Sequence, residues 1–371
     1  MEEAELFILE DRKPNLWETI VDLLRDSELR LTMILVFTST LALRFVGTLL
    51  LIFYIEVWDV DDRLAGVFFA SCGTQIFFFL SFGILNQKYG LKVTYLIGFF
   101  ALIFEFALLI AVKNLYFHVV LISLTSGFTP VLISGCLKSV IQDKTTLDQR
   151  SLGFSMYNCT LNFSAILLGL ITELIFTFKG INFKSYAILF FVLLGISLLS
   201  FILVILFSKL KKKEGNHKQE TRLSYILNQK RYWKTIIVFF ISSIPLGTIF
   251  LPGILLPIYM ERELGSTQGS GYYFACYSFM LGIFGILLNF ISKVLNLYDC
   301  VIFGGFVIAA GPLLFAFGNN YYIIGIYITI TAIGGSILEP RLIDYNGYAS
   351  VNGHEGFYFG IGSCGYYQSK S

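Results

Sequence analysis

Long apolar runs separated by short polar gaps dominate the chain. Ten of them occupy 31–54, 64–86, 93–112, 115–137, 151–177, 186–208, 235–260, 270–294, 299–317 and 321–339. Each approaches or exceeds the roughly 20 residues a helix needs to cross a bilayer. A shorter, Gly-rich eleventh run covers 356–371. The pattern predicts an all-α polytopic membrane protein of ten to eleven spans. Before the first span, Asn15 to Arg30 alternates Leu16, Trp17, Ile20, Val21, Leu23 and Leu24 with Glu18, Asp22, Arg25 and Asp26. That is the spacing of an amphipathic helix lying on a membrane face. Leu223 to Trp233 repeats the pattern more weakly before the seventh run.

The runs also repeat. Shifting the chain by about 205 residues sets Tyr54 on Tyr259, Glu56 on Glu261, Gly66 on Gly271, Phe69 on Phe274, Ala70 on Ala275 and Lys88 on Lys293. One long polar break, 209–234, separates six runs from the rest. The expected organisation is therefore an amphipathic segment 1–30, a six-helix bundle 31–208, a basic linker 209–234, and a second bundle 235–371 built as a parallel repeat. By this register the second bundle is short of a full copy by about one and a half helices. A complete copy would end about 40 residues beyond Ser371 at one 20-residue span plus its loop.

Composition agrees with that reading. Hydrophobic residues make up 56% and charged residues 14% of the chain, with a mean hydropathy of +0.73. Soluble chains are about a quarter charged, so an ordinary soluble protein is excluded. The net charge of +2 matters less than its placement. Segments on the side of the N-terminus and the 209–234 loop hold 20 Lys and Arg, and the opposite side holds 5. Basic residues stay cytoplasmic, so the N-terminus and the linker are expected in the cytoplasm. The first span would serve as an uncleaved signal. The six cysteines, Cys72, Cys136, Cys159, Cys276, Cys300 and Cys364, have no paired spacing and read as small buried residues.

Six plus six spans, a basic central loop and parallel halves resemble the major facilitator superfamily of transporters. One local motif carries the resemblance: Gly83-Ile84-Leu85-Asn86-Gln87-Lys88-Tyr89-Gly90-Leu91-Lys92 after the second span. It is similar to the family's loop of Gly, Asp-Arg, Gly and a basic pair. Gly83 would permit close helix approach, Gly90 a tight turn, and Lys88 and Lys92 would hold the loop on the inner face. Gln87 stands where the family has Asp, and Leu91 where it has the first basic residue. A narrower set, Arg44-Phe45 with Arg150, Phe154, Ser155, Tyr157 and Asn162, resembles proton-coupled oligopeptide transporters. The acid pair preceding the first-span Arg there is Thr40 and Leu43 here. That match implies a relative and not a working peptide–proton symporter.

Charges at mid-bilayer depth cost about 2.5–3.5 kcal/mol each and need a reason. Arg44 stands roughly 20 Å into the first span at about 1.5 Å per residue, and Glu105 reaches a similar depth in the third. Arg44 either faces an aqueous path or pairs structurally with Glu105; the first is favoured. As a binding residue it would attract an anionic group, with Thr40, Asn162, Ser242, Ser243 and Thr248 offering hydrogen bonds. Glu105 is the candidate for proton coupling, and hence for a symporter. Glu339, Pro340 and Arg341 read as a terminated, solvated helix end, Lys138 as an interface anchor, and Glu173 as a snorkelling outer residue. Asn162 reads as an interhelical hydrogen bonder. Pro245, Pro252 and Pro257 mark a seventh span that kinks.

The expected function is secondary active transport of a small polar or organic solute, an anionic one being the candidate, by rocking two bundles in a lipid bilayer. The alternative is a transport-incompetent member acting as a structural or interaction subunit. No catalytic triad, phosphate loop, metal spacing or nucleic-acid motif occurs, so neither an enzyme nor a cofactor is expected. His118, His217 and His354 are dispersed.

Overall fold

The computed structural model describes residues 16–71, 75–207, 223–264, 270–290, 295–318, 320–351 and 354–368. Among them, every regular element is helical. Helix α1 (Leu16–Arg25) lies before α2 (Ser27–Thr48), which continues through Leu50–Ile52 into a π-helical turn, Phe53–Val57. Next come α3 (Asp62–Ala70), α4 (Gln75–Tyr89), α5 (Leu91–Ala111), α6 (Leu115–Lys144), α7 (Leu147–Lys179) and α8 (Phe183–Phe207). After the linker follow α9 (Leu223–Leu227), α10 (Lys230–Leu264), α11 (Ser270–Leu287), α12 (Leu297–Leu313), α13 (Tyr321–Ala349) and α14 (Glu355–Gln368).

Seven stretches among the described residues are long and apolar enough to cross a membrane: Ser27–Val57, Leu91–Ala111, Leu115–Lys144, Leu147–Lys179, Phe183–Leu206, Leu297–Phe317 and Tyr321–Ala349. The other apolar runs also coil into helices. The second is divided between α3 and α4, the seventh is α10, the eighth is α11 with a 3₁₀ turn at Leu288–Phe290, and the eleventh is α14. The fold is an all-α polytopic membrane fold.

Local chemistry sets the helix ends. Asp26 ends α1 and caps α2, accepting from the amides of Glu28 at 2.7 Å and Leu29 at 3.0 Å. Gly90 opens α5 with a positive φ of 82°, a conformation that a side chain would strain. Asn114 and Asn320 cap α6 and α13 through the amides of Phe117 and Ile323.

Helix α2 packs against α6, α7 and α8, while α5 packs against α6 and α8. Phe45 lies at the centre of this group, its ring edge-on to Phe190 at 5.1 Å and within 6.4 Å of Phe53, Phe106 and Tyr186. Such edge-to-face pairs each add about 0.5–1.5 kcal/mol beyond buried area. Lipid offers no hydrophobic drive between helices, so this close packing carries the association. In the second group α13 packs on α12, α11 and α10. Gly304 and Gly334 sit where α12 and α13 cross, and a Cβ on either would come within 3.0 Å of the facing backbone. Across the seam between the groups, α11 lies on α7, and α14 lies on α4 and α6.

Several sequence expectations change here. Pro340 does not end a helix: α13 continues through it to Ala349. Glu339 and Arg341 are 4% and 1% exposed, so this is no solvated end. The helix extends with Arg341 turned into the protein, where side-chain and backbone acceptors replace water. Lys138 is likewise fully buried within α6 and anchors no interface. Glu173 is exposed, as expected. Helix α10 runs without interruption through Pro245, Pro252 and Pro257. Cys136 and Cys300 are buried free thiols, Cys159 is half-buried and Cys276 is exposed; Cys72 lies outside the described residues.

Candidate functional site

Arg44 stands on α2, 6% exposed, with Thr40 buried one turn before it. Its charge does not meet Glu105. The Glu105 carboxyl, buried in α5, has the Thr125 hydroxyl of α6 as its neighbour, and its Oε1 receives no hydrogen bond. Instead, the guanidinium of Arg44 acts electrostatically on the phenol of Tyr277, on α11 across the seam. The carboxyl of Glu339, on α13, acts on the same phenol, as does Tyr327. Tyr277 is fixed by donating its hydroxyl to the Ile249 carbonyl of α10. Tyr277 is thus within electrostatic range of a positive group from the first half and a negative group from the second.

Of the other predicted binding residues, Ser242 is buried on α10. No hydrogen bond among the described residues engages either its hydroxyl or that of Thr40. Thr248 donates to the Pro245 carbonyl at 2.7 Å, within its own helix. Asn162 is buried, but its amide donates to Asn158, to the backbone oxygen at 2.8 Å and to Oδ1 at 3.0 Å. It is therefore an intrahelical and not an interhelical bonder, because a side chain one turn earlier already satisfies it. The side chain of Ser243 lies outside the described set.

The loop motif sits at the end of the molecule where α4 meets α5, here termed the linker side. Gly83 lies directly under Phe357 of α14, and an added Cβ would be 2.5 Å from that ring. Lys88 places its ammonium 5.0 Å from the Tyr89 ring centroid. Lys92 donates to the Ile205 carbonyl of α8 at 3.1 Å. Gln87 reaches across the seam to His354, with Nε2 2.7 Å from Nδ1.

A second buried polar cluster closes the same end. Arg341 of α13 donates to Asn289 Oδ1 at 2.8 Å and, less closely, to Asn289 O at 3.5 Å, beside α11. It also donates to Ser151 O at 3.3 Å and Ser155 Oγ at 3.5 Å on α7. Ser151 donates to Asn289 Oδ1 at 3.1 Å. Gln142 of α6 adds a bond to the Gly347 carbonyl at 3.2 Å. Sequence reasoning missed Tyr277, Asn289 and the burial of Glu339 and Arg341. The one available signal was a charge pair flanking a proline with no Gly, Asn or Ser to end the helix.

A family model described as Major Facilitator Superfamily matches residues 32–367. Curated protein sequences yield no significant match. Among solved structures, the transporter FucP in its outward conformation aligns with a TM-score of 0.71 at 14% identity, over 92% of this chain and 89% of that one. A bacterial homologue of the iron transporter ferroportin, outward-facing, gives 0.65 at 13% identity, over 92% and 89%. The human organic anion transporter MFSD10 gives 0.65 at 12% identity, over 92% and 90%. At these identities the structural likeness speaks for the fold, and the family model, which spans nearly the whole chain, speaks for descent. The chain is a multi-pass membrane protein and belongs to the Major Facilitator Superfamily of transporters.

Proposed function

We propose that the protein is a secondary active transporter that moves a small solute by alternating access between two helical bundles, 31–208 and 235–371. The observation that carries this reading is the burial of a charged side chain in each bundle, Arg44 at 6% and Glu339 at 4% exposure. Buried charges at mid-membrane depth are costly, and a solute path at the junction of the two bundles gives them a use. Arg44 binds an anionic group of the solute, and charge-assisted hydrogen bonds give that contact its strength. Thr40, Asn162, Ser242, Ser243 and Thr248 supply polar surface around it. Glu105 is the coupling carboxyl if protons drive the cycle, since it is buried beside the Thr125 hydroxyl. The N-terminus and the 209–234 linker lie in the cytoplasm, in line with the basic residues on that side. Polar contacts join the two bundles on the linker side, in line with a conformation open to the opposite face, the state in which FucP and the ferroportin homologue were solved.

The test is uptake into proteoliposomes of a labelled panel containing fucose, iron and an organic anion, the solutes named for structural neighbours. Arg44→Ala is expected to lower uptake of the transported solute by more than about tenfold, the loss of one charged contact. Undiminished uptake removes Arg44 from the site. Glu105→Gln is expected to abolish the response to a pH gradient and leave solute exchange intact.

A further inference from the structure

Helix α10 begins with three exposed cations, Lys230, Arg231 and Lys234. None has a carboxylate partner among the described residues. Beyond Lys234, Ile237, Ile241 and Ile244 follow at helical spacing, each more than half exposed. The rise from Lys234 to Ile244 is roughly 15 Å at about 1.5 Å per residue, one leaflet of a hydrocarbon core about 30 Å thick. Trp233, half exposed, donates its indole N–H to the Leu227 carbonyl at 2.6 Å. An aromatic ring therefore sits at the head of the stripe, the level at which such rings meet lipid headgroups. Helix α12 packs alongside. A Cβ added to its Gly305 would meet nothing closer than the Pro245 ring at 3.7 Å, so the two helices leave a shallow channel there. Tyr298 and Ile302 of α12 are exposed. Arg231 and Tyr298 both lie within electrostatic reach of Tyr345 on α13, so the heads of α10 and α12 are neighbours. Asp299, the acid next to Tyr298, is engaged by the Asn296 amide at 3.3 Å.

From this we infer that the channel between α10 and α12 holds one phospholipid with an anionic headgroup. Arg231 grips the phosphate by paired hydrogen bonds, and Lys230 and Lys234 act as point charges beside it. An acyl chain lies along Ile237, Ile241 and Ile244. Basic pockets between helices at the membrane surface take anionic headgroups in this way. A zwitterionic headgroup brings its own cation, which three uncompensated positive side chains repel. A soluble phosphate ester would satisfy the cations and gain nothing from the apolar stripe.

The test is native mass spectrometry of the full-length protein in detergent, with phosphatidylserine and phosphatidylcholine of matched chains added together. The wild type should retain phosphatidylserine in preference. Arg231→Gln and Lys234→Gln should each lower that retention about fivefold, the effect of one basic residue at a membrane surface. Arg30→Gln removes an exposed cation at the start of α2 and should leave retention unchanged. Gly305→Leu fills the channel without altering charge and should lower retention as well. The two glutamine variants change exposed residues and decide the matter should Gly305→Leu fail to fold. Glycerol 3-phosphate should not displace the lipid. Equal retention of the two lipids overturns the inference, since no headgroup is then selected. An equal loss in Arg30→Gln overturns it in favour of a diffuse charge effect, and displacement by glycerol 3-phosphate in favour of a soluble phosphate. Lipid retention involves no solute, so this result and the uptake result can fail separately.

Discussion

Gln87 and His354 are 267 residues apart in the chain, yet they meet at 2.7 Å across the seam between α4 and the start of α14. The Gln87 amide donates to the unprotonated Nδ1 of a histidine that is 5% exposed. Tyr225 and Phe357 flank its ring at 5.6 Å and 6.4 Å. The motif residue that departs from the family pattern therefore still bridges the two halves, by a neutral bond in place of a charged one.

Burial lowers the pKa of His354 from 6.5, opposed by the adjacent Glu355. The folded state then binds this proton more weakly than the unfolded chain. Its contribution to stability is full above about 6.5 and is lost as pH falls through the lowered folded value. Hydrogen exchange over 354–361 should accelerate between about pH 7 and pH 5, a window bracketing the free imidazole value. His354→Gln should flatten that response. An equally steep response in the variant would assign it to another group.

The crossing of α12 and α13 depends on absent side chains. A Cβ on Gly334 would stand 2.7 Å from the Ile308 amide nitrogen, which cannot move aside. Gly325, on the same helix, has nothing within 4 Å of that position. Gly334→Ala should cost about 1–3 kcal/mol by overpacking. Gly325→Ala should be neutral or gain up to about 1 kcal/mol of helix propensity. Thermal unfolding in detergent compares the two, and the reverse order would contradict the packing described.

At the start of α2, Lys144 reaches back from α6 to Glu28 at 2.7 Å and Asp26 at 3.9 Å. The lysine side chain is 34% exposed, so Lys144→Ala should cost no more than about 1 kcal/mol and less in high salt. Asp26→Ala removes two amide caps as well and should cost at least about 1 kcal/mol at any salt concentration. Unfolding at low and high salt separates the contributions. A salt-insensitive Lys144 effect would discount the ion pair.

Within the proposed binding surface the hydroxyls are not equivalent. Thr248 is engaged in its own helix, whereas Thr40 and Ser242 have no hydrogen bond among the described residues. Thr40→Val and Ser242→Ala should each reduce uptake by up to about tenfold, the loss of one hydrogen bond to the solute. Thr248→Val should change it by less than about threefold on the same scale. A larger effect at Thr248 would relocate the surface.

The fold was legible because lipid imposes one rule on the whole chain. Backbone polar groups in hydrocarbon must pair internally, so each long apolar run had to become a helix. The loop motif was legible in part: Gly83 and Gly90 do what their lack of a side chain permits, one under Phe357 and one at positive φ. The pairing of Gln87 with His354 was not, since neither residue carries a signal of its partner. Glu339 and Arg341 misled for a related reason. Beside a proline they looked like residues reaching for water, while α7 and Asn289 bring acceptors to Arg341 instead.

The amino-acid sequence by itself determined that this chain is a set of membrane-spanning helices and that Arg44 and Glu105 lie within them, because bilayer thickness and helix rise act locally. Only the tertiary structure decided which deep charges face one another. Arg44 lies within electrostatic range of Tyr277 while Glu105 neighbours Thr125, and Arg341 bonds Asn289 and α7 and not solvent, because helix rotation and the choice of neighbour are set by packing across the seam. No run of residues along one helix encodes that choice.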